Sequence, residues 1–253
     1  MIKSIVVHDI PIDAVPAMER WYHRDHSAEI ARRYGPWLAR HESYLPVDAP
    51  ADARAFGFYN WRVTEAWWRE VPLAGPQGAL SFTLPPAWPT AATCFVPPQP
   101  TEDFLGAYLQ PPEKVGVRWV MLLKYPEGVS RAEGERWFLE AHAPETMKQP
   151  GLYRYFSYQV IQELIGLPGV WPPGASPPPG SYHPAWDRVS ELWYETFSDW
   201  RRSVIESPPP YMKPSWATWD AYPFVKPFEG LVSSFLLERP NDEFLRDLRS
   251  YTP

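Results

Sequence analysis

Apolar and polar positions alternate with period two in some stretches of the chain and recur at helical spacing in others, and the whole pattern occurs twice. Ile2 to His8 and Val117 to Leu123 are apolar and β-branched and read as first strands. Val15, Met18, Trp21, Tyr22 and Ile30 form an imperfect helical stripe over 15–33, and 130–147 repeats it. Pro36 and Pro150 precede second strands predicted over 37–47 and 151–162, where Tyr153, Tyr155 and Ser157 alternate with Arg154, Phe156 and Tyr158. Third strands are predicted at 56–63 and 188–195, second helices with tryptophan stripes at 64–71 and 196–207, and fourth strands near 90–96 and 230–238.

The repetition extends to residue identity. Placing Glu19–Glu29 over Glu135–Glu145 matches five of eleven positions at an offset of 116. Arg40–Tyr44 lies over Arg154–Tyr158 at an offset of 114, and Pro100–Leu105 over Pro240–Leu245 at 140. The late growth in offset places an insertion at about 163–186, where a Pro/Gly-rich run excludes helix or sheet interior. The chain therefore reads as two copies of one unit, 1–112 and 113–253, each strand-helix-strand-strand-helix-strand. That order defines an α+β fold, the ferredoxin-like unit, whose sheet carries helices on one face only. A second copy covers the other face, so two units packed sheet to sheet as a pseudo-dimeric α+β barrel are expected.

Composition narrows the class further. The 33 prolines are about 13% of the chain against a usual level near 5%. A 45% hydrophobic content is nonetheless too high for disorder. No apolar run reaches the roughly 18 residues of a membrane span, and the N-terminal segment reads as a strand, not a signal peptide. A single cysteine, Cys94, excludes an internal disulfide and fits a reducing cytoplasm. The net charge of −6 and scattered basic residues argue against nucleic acid.

Trp137, His142-Ala143-Pro144 and Pro150-Gly151-Leu152-Tyr153-Arg154-Tyr155 resemble the signature of the EthD-type branch of the dimeric α+β barrel superfamily. The first half shows a worn version, with Trp21, His26-Ser27-Ala28 and Gly35-Pro36-Trp37, lacking proline after the histidine. The resemblance implies a small-molecule pocket between each sheet and its helices. It also implies a range of chemistries: decarboxylases and dehydratases of polyketide pathways, cyclases, muconolactone-type isomerases and cofactor-free monooxygenases.

Six histidines are present, and the repeat sorts them. His26 and His142 are equivalent, each followed three residues later by a glutamate, Glu29 or Glu145, on the same helix face. They read either as carboxylate-oriented general bases or as helix-end scaffold residues. His8, His23 and His41 face Leu123, Leu139 and Tyr155 in the alignment, and His183 follows the insertion. A duplicated barrel that keeps one working pocket differs between copies at that pocket, which makes His41 the leading acid/base candidate. Tyr44 and Tyr158, with Arg40 and Arg154, could hold a developing oxyanion, or be core aromatics. Tyr155, His183, Trp61, Trp68, Trp193 and Trp200 are the expected pocket lining, suited to an aromatic or polycyclic substrate.

His23, His26 and Glu29 loosely share a helix face, but no third element completes a metal site, and no nucleotide-binding glycine loop is present. No metal and no cofactor are expected. The reading is a cofactor-independent lyase or isomerase of aromatic-compound catabolism. The alternatives are a monooxygenase using dioxygen or haem, and a non-catalytic binder of hydrophobic metabolites. The expected partner is a small hydrophobic substrate, with a homodimer compatible with the architecture.

Overall fold

The computed structural model describes residues 1–70, 83–109, 116–161, 180, 182–183 and 186–245. Strands β1 (Ile2–Asp9), β2 (Leu38–Tyr44), β3 (Arg62–Trp68) and β4 (Thr90–Val96) form an antiparallel sheet in the order β4-β1-β3-β2. After a two-residue β5 (Glu102–Asp103), strands β6 (Val117–Leu123), β7 (Leu152–Gln159), β9 (Arg188–Tyr194) and β10 (Leu231–Leu237) repeat it as β10-β6-β9-β7. Each is the strand order of a ferredoxin-like sheet. The two pack face to face through Ile5, Val7, Val63, Cys94, Val120, Leu122 and Val189, the architecture of a dimeric α+β barrel within one chain.

One helical run covers the outer face of each sheet. The first comprises α1 (Val15–Trp21), a wide i→i+5 turn (Tyr22–His26) and α2 (Ser27–Tyr34). The second comprises α3 (Arg131–Trp137), a wide turn (Phe138–His142) and α4 (Ala143–Thr146). Ser130 caps α3 by accepting the Glu133 N–H. In the second half, α5 (Phe197–Arg201), capped by Thr196, adds a further helical turn over the sheet. None of these helices is long and apolar enough to cross a membrane.

The helix expected at 64–71 is not formed. Residues 64–68 continue β3, which starts at Arg62 and not near 56. The residues obey period two: Val63, Glu65 and Trp67 pair with Val7, Ile5 and Lys3 and face the second sheet, while Thr64, Ala66 and Trp68 face the helices. Adjacent tryptophans here serve opposite faces, so they do not make a helical stripe. Residues 71–82, the 112/113 boundary and nearly all of the Pro/Gly-rich insertion lie outside the described residues. Tyr182–His183 forms a short strand, β8, parallel to β4.

The halves exchange edges. β5 pairs with β7 of the second sheet, and β11 (Asp242–Glu243) pairs with β2 of the first. Segment 57–59 also runs beside β10, with the Tyr59 N–H donating to the Ser233 carbonyl at 2.8 Å. Gly57 permits this approach. Its φ is 64°, and a Cβ there would stand 2.2 Å from the Leu231 carbonyl oxygen.

Between the sheets lies a buried ionic group. Lys3 Nζ is 3.3 Å from Glu65 and 3.4 Å from Glu191, and Arg118 bonds both carboxylates, meeting Glu191 Oε1 at 2.7 Å. None of the four side chains is more than 4% exposed. Arg118 carries the guanidinium at the position that Lys3 occupies in the first sheet, since each faces the equivalent tryptophan, Trp193 or Trp67.

Candidate active site

The outer layers of the two halves differ although their frames match. In the second half the helix-facing positions are Trp119, Met121, Leu123, Tyr155, Leu192, Tyr194 and Phe235, all buried. The same register positions in the first sheet hold Ser4, Val6, His8, His41, Ala66, Trp68 and Phe95. Indole has become a serine hydroxymethyl and leucine has become alanine, which removes several side-chain volumes from this layer. Val6, His8, Thr64, Thr93 and Phe95 are only half-buried, so this layer, the first-half cleft, is less fully covered than its counterpart. The second half is filled further by Tyr211, Trp216, Tyr222 and Phe224, which pack on its helical run.

Three histidines converge on the first-half cleft. His8 comes from β1, His41 from β2 and His26 from the end of the wide helical turn. His26 stacks on Trp21 at 4.6 Å and lies over the Tyr22 ring at 5.5 Å. His41 is 4% exposed, touches Phe244 at 5.0 Å, and its Nδ1 has no hydrogen-bond partner among the described residues. Burial lowers all three imidazoles, to about 3 for His8 and His41 and about 4 for His26. His26 adds to the lowering at both of the others, because a charge on it opposes theirs. The cleft therefore holds neutral imidazoles throughout the physiological range, of which His26 is half-buried and closest to titration there.

Below the cleft an ionic bracket anchors the floor. The Arg62 guanidinium stacks on the Tyr22 ring at 4.3 Å and bonds Glu19 at 2.5 Å and Asp242 at 3.0 Å. His23 joins it, 3.1 Å from Arg62 and 3.3 Å from Glu19. The second half repeats the bracket with Arg188 on the Phe138 ring, bonded to Glu135 and Glu102. The repeated Glu19/Glu135 thus serves a scaffold.

The remaining expected residues do not all gather here. Glu29 does not orient His26; its carboxylate accepts the Thr83 N–H at 3.0 Å and lies 3.2 Å from the Thr83 hydroxyl. Two neutral donors on one residue satisfy the anion better than a single stacked imidazole can. Glu145 likewise turns to Lys148, and His142 packs against the stacked pair Tyr211 and Tyr222 as a core residue, also lowered to about 3 by burial. Tyr44 and Tyr158 lie between the sheets, on the opposite face of their strands from His41 and Tyr155, and the Tyr44 hydroxyl donates to Glu42. Residues three apart on a strand point to opposite faces, so Tyr44, expected as an oxyanion holder, does not share a face with His41.

Arg40 is exposed and stacks on Trp67, and Arg154 lies over Trp193 between the sheets. Tyr155 is buried against Phe104, and Trp200 against Trp119 and Phe235. Trp61 is buried, with its indole N–H donating to Glu19. Trp68 lines the cleft, donating to Ser4 Oγ at 2.9 Å, and the buried Trp61 ring packs edge-on against His8 at 5.5 Å. His183 lies in β8, at the far edge of the sheet. Sequence reasoning missed Tyr22 and Thr64, whose hydroxyls are 2.8 Å apart on the cleft floor. The signal was the repeat, which sets Tyr22 opposite Phe138. Among the described residues no group of three or more His, Cys, Asp or Glu is arranged to hold a metal ion.

The lowered imidazoles make stability pH-dependent. His8, His26, His41 and His142 are neutral when folded and take up protons on unfolding once the pH is below about 6.5. Their contribution is complete above that value and is lost as pH falls toward 3–4. Each adds a slope of about 1.4 kcal/mol per pH unit within that window. Urea denaturation of His41→Asn at pH 7, 6 and 5 is expected to show a shallower loss than the unaltered chain; an identical slope would refute the assignment.

These features define the class: a one-chain dimeric α+β barrel with a single histidine-lined outer cleft among the described residues. A family model described as the chalcone isomerase N-terminal domain matches residues 1–89, which include β1, the first helical run, β2 and β3. No curated protein matches the chain. Among solved structures, an anthrone oxidase-like protein aligns with a TM-score of 0.48 and 9% identity, covering 93% of this chain and 90% of that one. Chlorite dismutase from Candidatus Nitrospira defluvii in complex with imidazole aligns with a TM-score of 0.41 and 10% identity, covering 97% and 94%.

Proposed function

We propose that the protein is a cofactor-independent enzyme that moves protons on an aromatic or alicyclic carbonyl compound, an isomerase or lyase, with His26 as general acid/base. The observation that carries this reading is that His8, His26 and His41 share the sheet–helix layer that is the less fully covered of the two among the described residues. Neutral His26 accepts a proton from the carbon beside the carbonyl, and the resulting imidazolium returns it to another atom of the same substrate. No electron leaves or enters, so the cycle needs no redox partner. His41 supplies a second neutral imidazole beside it, and Trp68, Phe95 and Val6 supply apolar walls. The isomerase described by the family model fits this chemistry, and its match spans all three histidines. The EthD-type likeness falls on the other half, at 137–155, and stays part of the proposal, as does a cytoplasmic setting.

The test is proton exchange. Aryl alkyl ketones and hydroxyaryl enones are incubated with the protein in deuterium oxide, without oxygen. Deuterium is expected at the α-carbon, and its incorporation should vanish in folded His26→Ala. Oxygen uptake with substrate oxidation, and no exchange, would establish the monooxygenase alternative. Ligand binding with neither signal would leave a binding protein.

A further inference from the structure

We infer that the Thr64 hydroxyl holds the substrate's oxygen as an oxyanion, at the end of a directed hydrogen-bond chain running Arg62, Ser43, Tyr22, Thr64. This deepens the proton-transfer reading and rests on it, and it narrows the substrate to a phenol or an enolisable ketone. The direction follows from chemistry. Arg62 is a donor only, and its Nη1 gives a hydrogen bond to Ser43 Oγ. Ser43 is fully buried and pairs with Thr64 across the sheet on the same face, so with its oxygen accepting from the guanidinium, its own proton is free to turn toward the Tyr22 hydroxyl that Thr64 meets. Tyr22 then gives its proton to Thr64 Oγ1, 2.8 Å away. Among the described residues Thr64 has no other hydrogen-bond partner, so its proton points onward.

The place it points to is the cleft. Thr64 lies on the helix-facing side of β3 and is half-buried, paired across the sheet with Val6 and Ser43. His8 and His41 pair with Arg62 and Ala66, the same-face neighbours of Thr64 on β3, so they flank it diagonally. The Tyr22 ring carries His26 at 5.5 Å. The hydroxyl thus sits at the centre of the three imidazoles, where an enolate or phenolate oxygen forms as a proton leaves. A chain that starts on a buried cation polarises each successive hydroxyl toward donation.

The second half provides the contrast. Arg188 also gives a hydrogen bond to its serine, Ser157, at 2.7 Å. There Phe138 stands in place of Tyr22, and the Ser157 hydroxyl donates to the Val189 carbonyl at 3.3 Å. The chain ends on backbone in the layer that is filled, and reaches a side-chain hydroxyl in the layer that is open.

The test uses 4-nitrophenol, whose phenolate is yellow and whose phenol is not. The wild-type protein is expected to bind the phenolate preferentially, lowering the apparent ionisation midpoint of the bound probe. Thr64→Val is expected to weaken phenolate binding about tenfold, Tyr22→Phe to weaken it by a smaller factor, and Thr64→Ser to restore it. Tyr22→Phe copies the second half's own residue, so it keeps a test available if Thr64→Val does not fold. Equal phenolate affinity in wild type, Thr64→Val and Tyr22→Phe would overturn the inference, as would binding of the neutral phenol alone. Thr64-dependent phenolate binding without α-proton exchange in the wild type would remove the proton-transfer reading and keep the oxyanion site. Normal exchange with Thr64-independent phenolate binding would do the reverse.

Discussion

Replacing His26 by alanine is expected to lower turnover by roughly 10²–10⁴-fold while the chain remains folded. His26 lies half-buried at the end of a helical turn and stacks on Trp21 at 4.6 Å, so its removal also costs some packing, and circular dichroism checks that the variant is folded. Its ring is half-buried, whereas His41 is 4% exposed and is expected to show a smaller loss when changed to alanine. The pH profile separates the two roles. An ordinary imidazole would give an acidic limb near 6–7. Because burial lowers His26 to about 4, the neutral base persists to lower pH, and the rate should stay flat from pH 8 to about 5 and fall only below it. His142→Ala should leave turnover near normal and reduce stability, since that ring is packed against Tyr211 and Tyr222 in the core. Full activity in folded His26→Ala, with loss in His41→Ala, would move the proton-carrying role to β2.

The largest effect on stability is expected from Arg118→Met, about 3–5 kcal/mol, a large part of the 5–15 kcal/mol that holds a typical domain folded. The methionine fills most of the volume, so the loss reflects charge and not a cavity. Glu65 and Glu191 would remain buried between the sheets with only Lys3 to balance them. Within the folded chain Glu191 is held below the usual carboxylate range by Arg118 and Lys3, against the opposing effect of its burial. Adding Glu191→Gln to Arg118→Met removes the orphaned charge and is expected to recover part of the loss. Urea titrations of the four members of this cycle give the coupling directly; additive losses would mean that the ions act independently.

The strands and first helices were legible in the chain because period-two and helical stripes survive in both copies. Thr90–Val96 and Val117–Leu123 fall where the pattern puts them. The tryptophan pair Trp67-Trp68 misled because adjacent bulky residues fit either period, and only sheet pairing assigns one to each face. The asymmetry of His41 was visible in the repeat, yet its partners were not. Tyr44 is near in sequence but on the wrong face, whereas Thr64 and His26 arrive from a neighbouring strand and a helix. Likewise, Glu29 has the spacing to hold His26, but Thr83, a residue far along the chain, claims its carboxylate. Long-range pairing decides such competitions, and local spacing does not contain it.

The exchanged edge strands set the order in which the molecule can be completed during synthesis. Asp242, which neutralises Arg62, and Phe244, which packs on His41, belong to the arm whose β11 pairs with Ser43 and Glu42. A ribosome that has released the whole of the first sheet has not yet supplied the arm that finishes its outer cleft. The amino-terminal half therefore emerges with a bare strand edge and an under-neutralised guanidinium, and it must wait for nearly the entire second half. Such late, non-local closure slows folding and leaves a hydrogen-bonding edge available to other chains in the interval. A nascent chain halted before residue 240 would be incomplete at its oldest end.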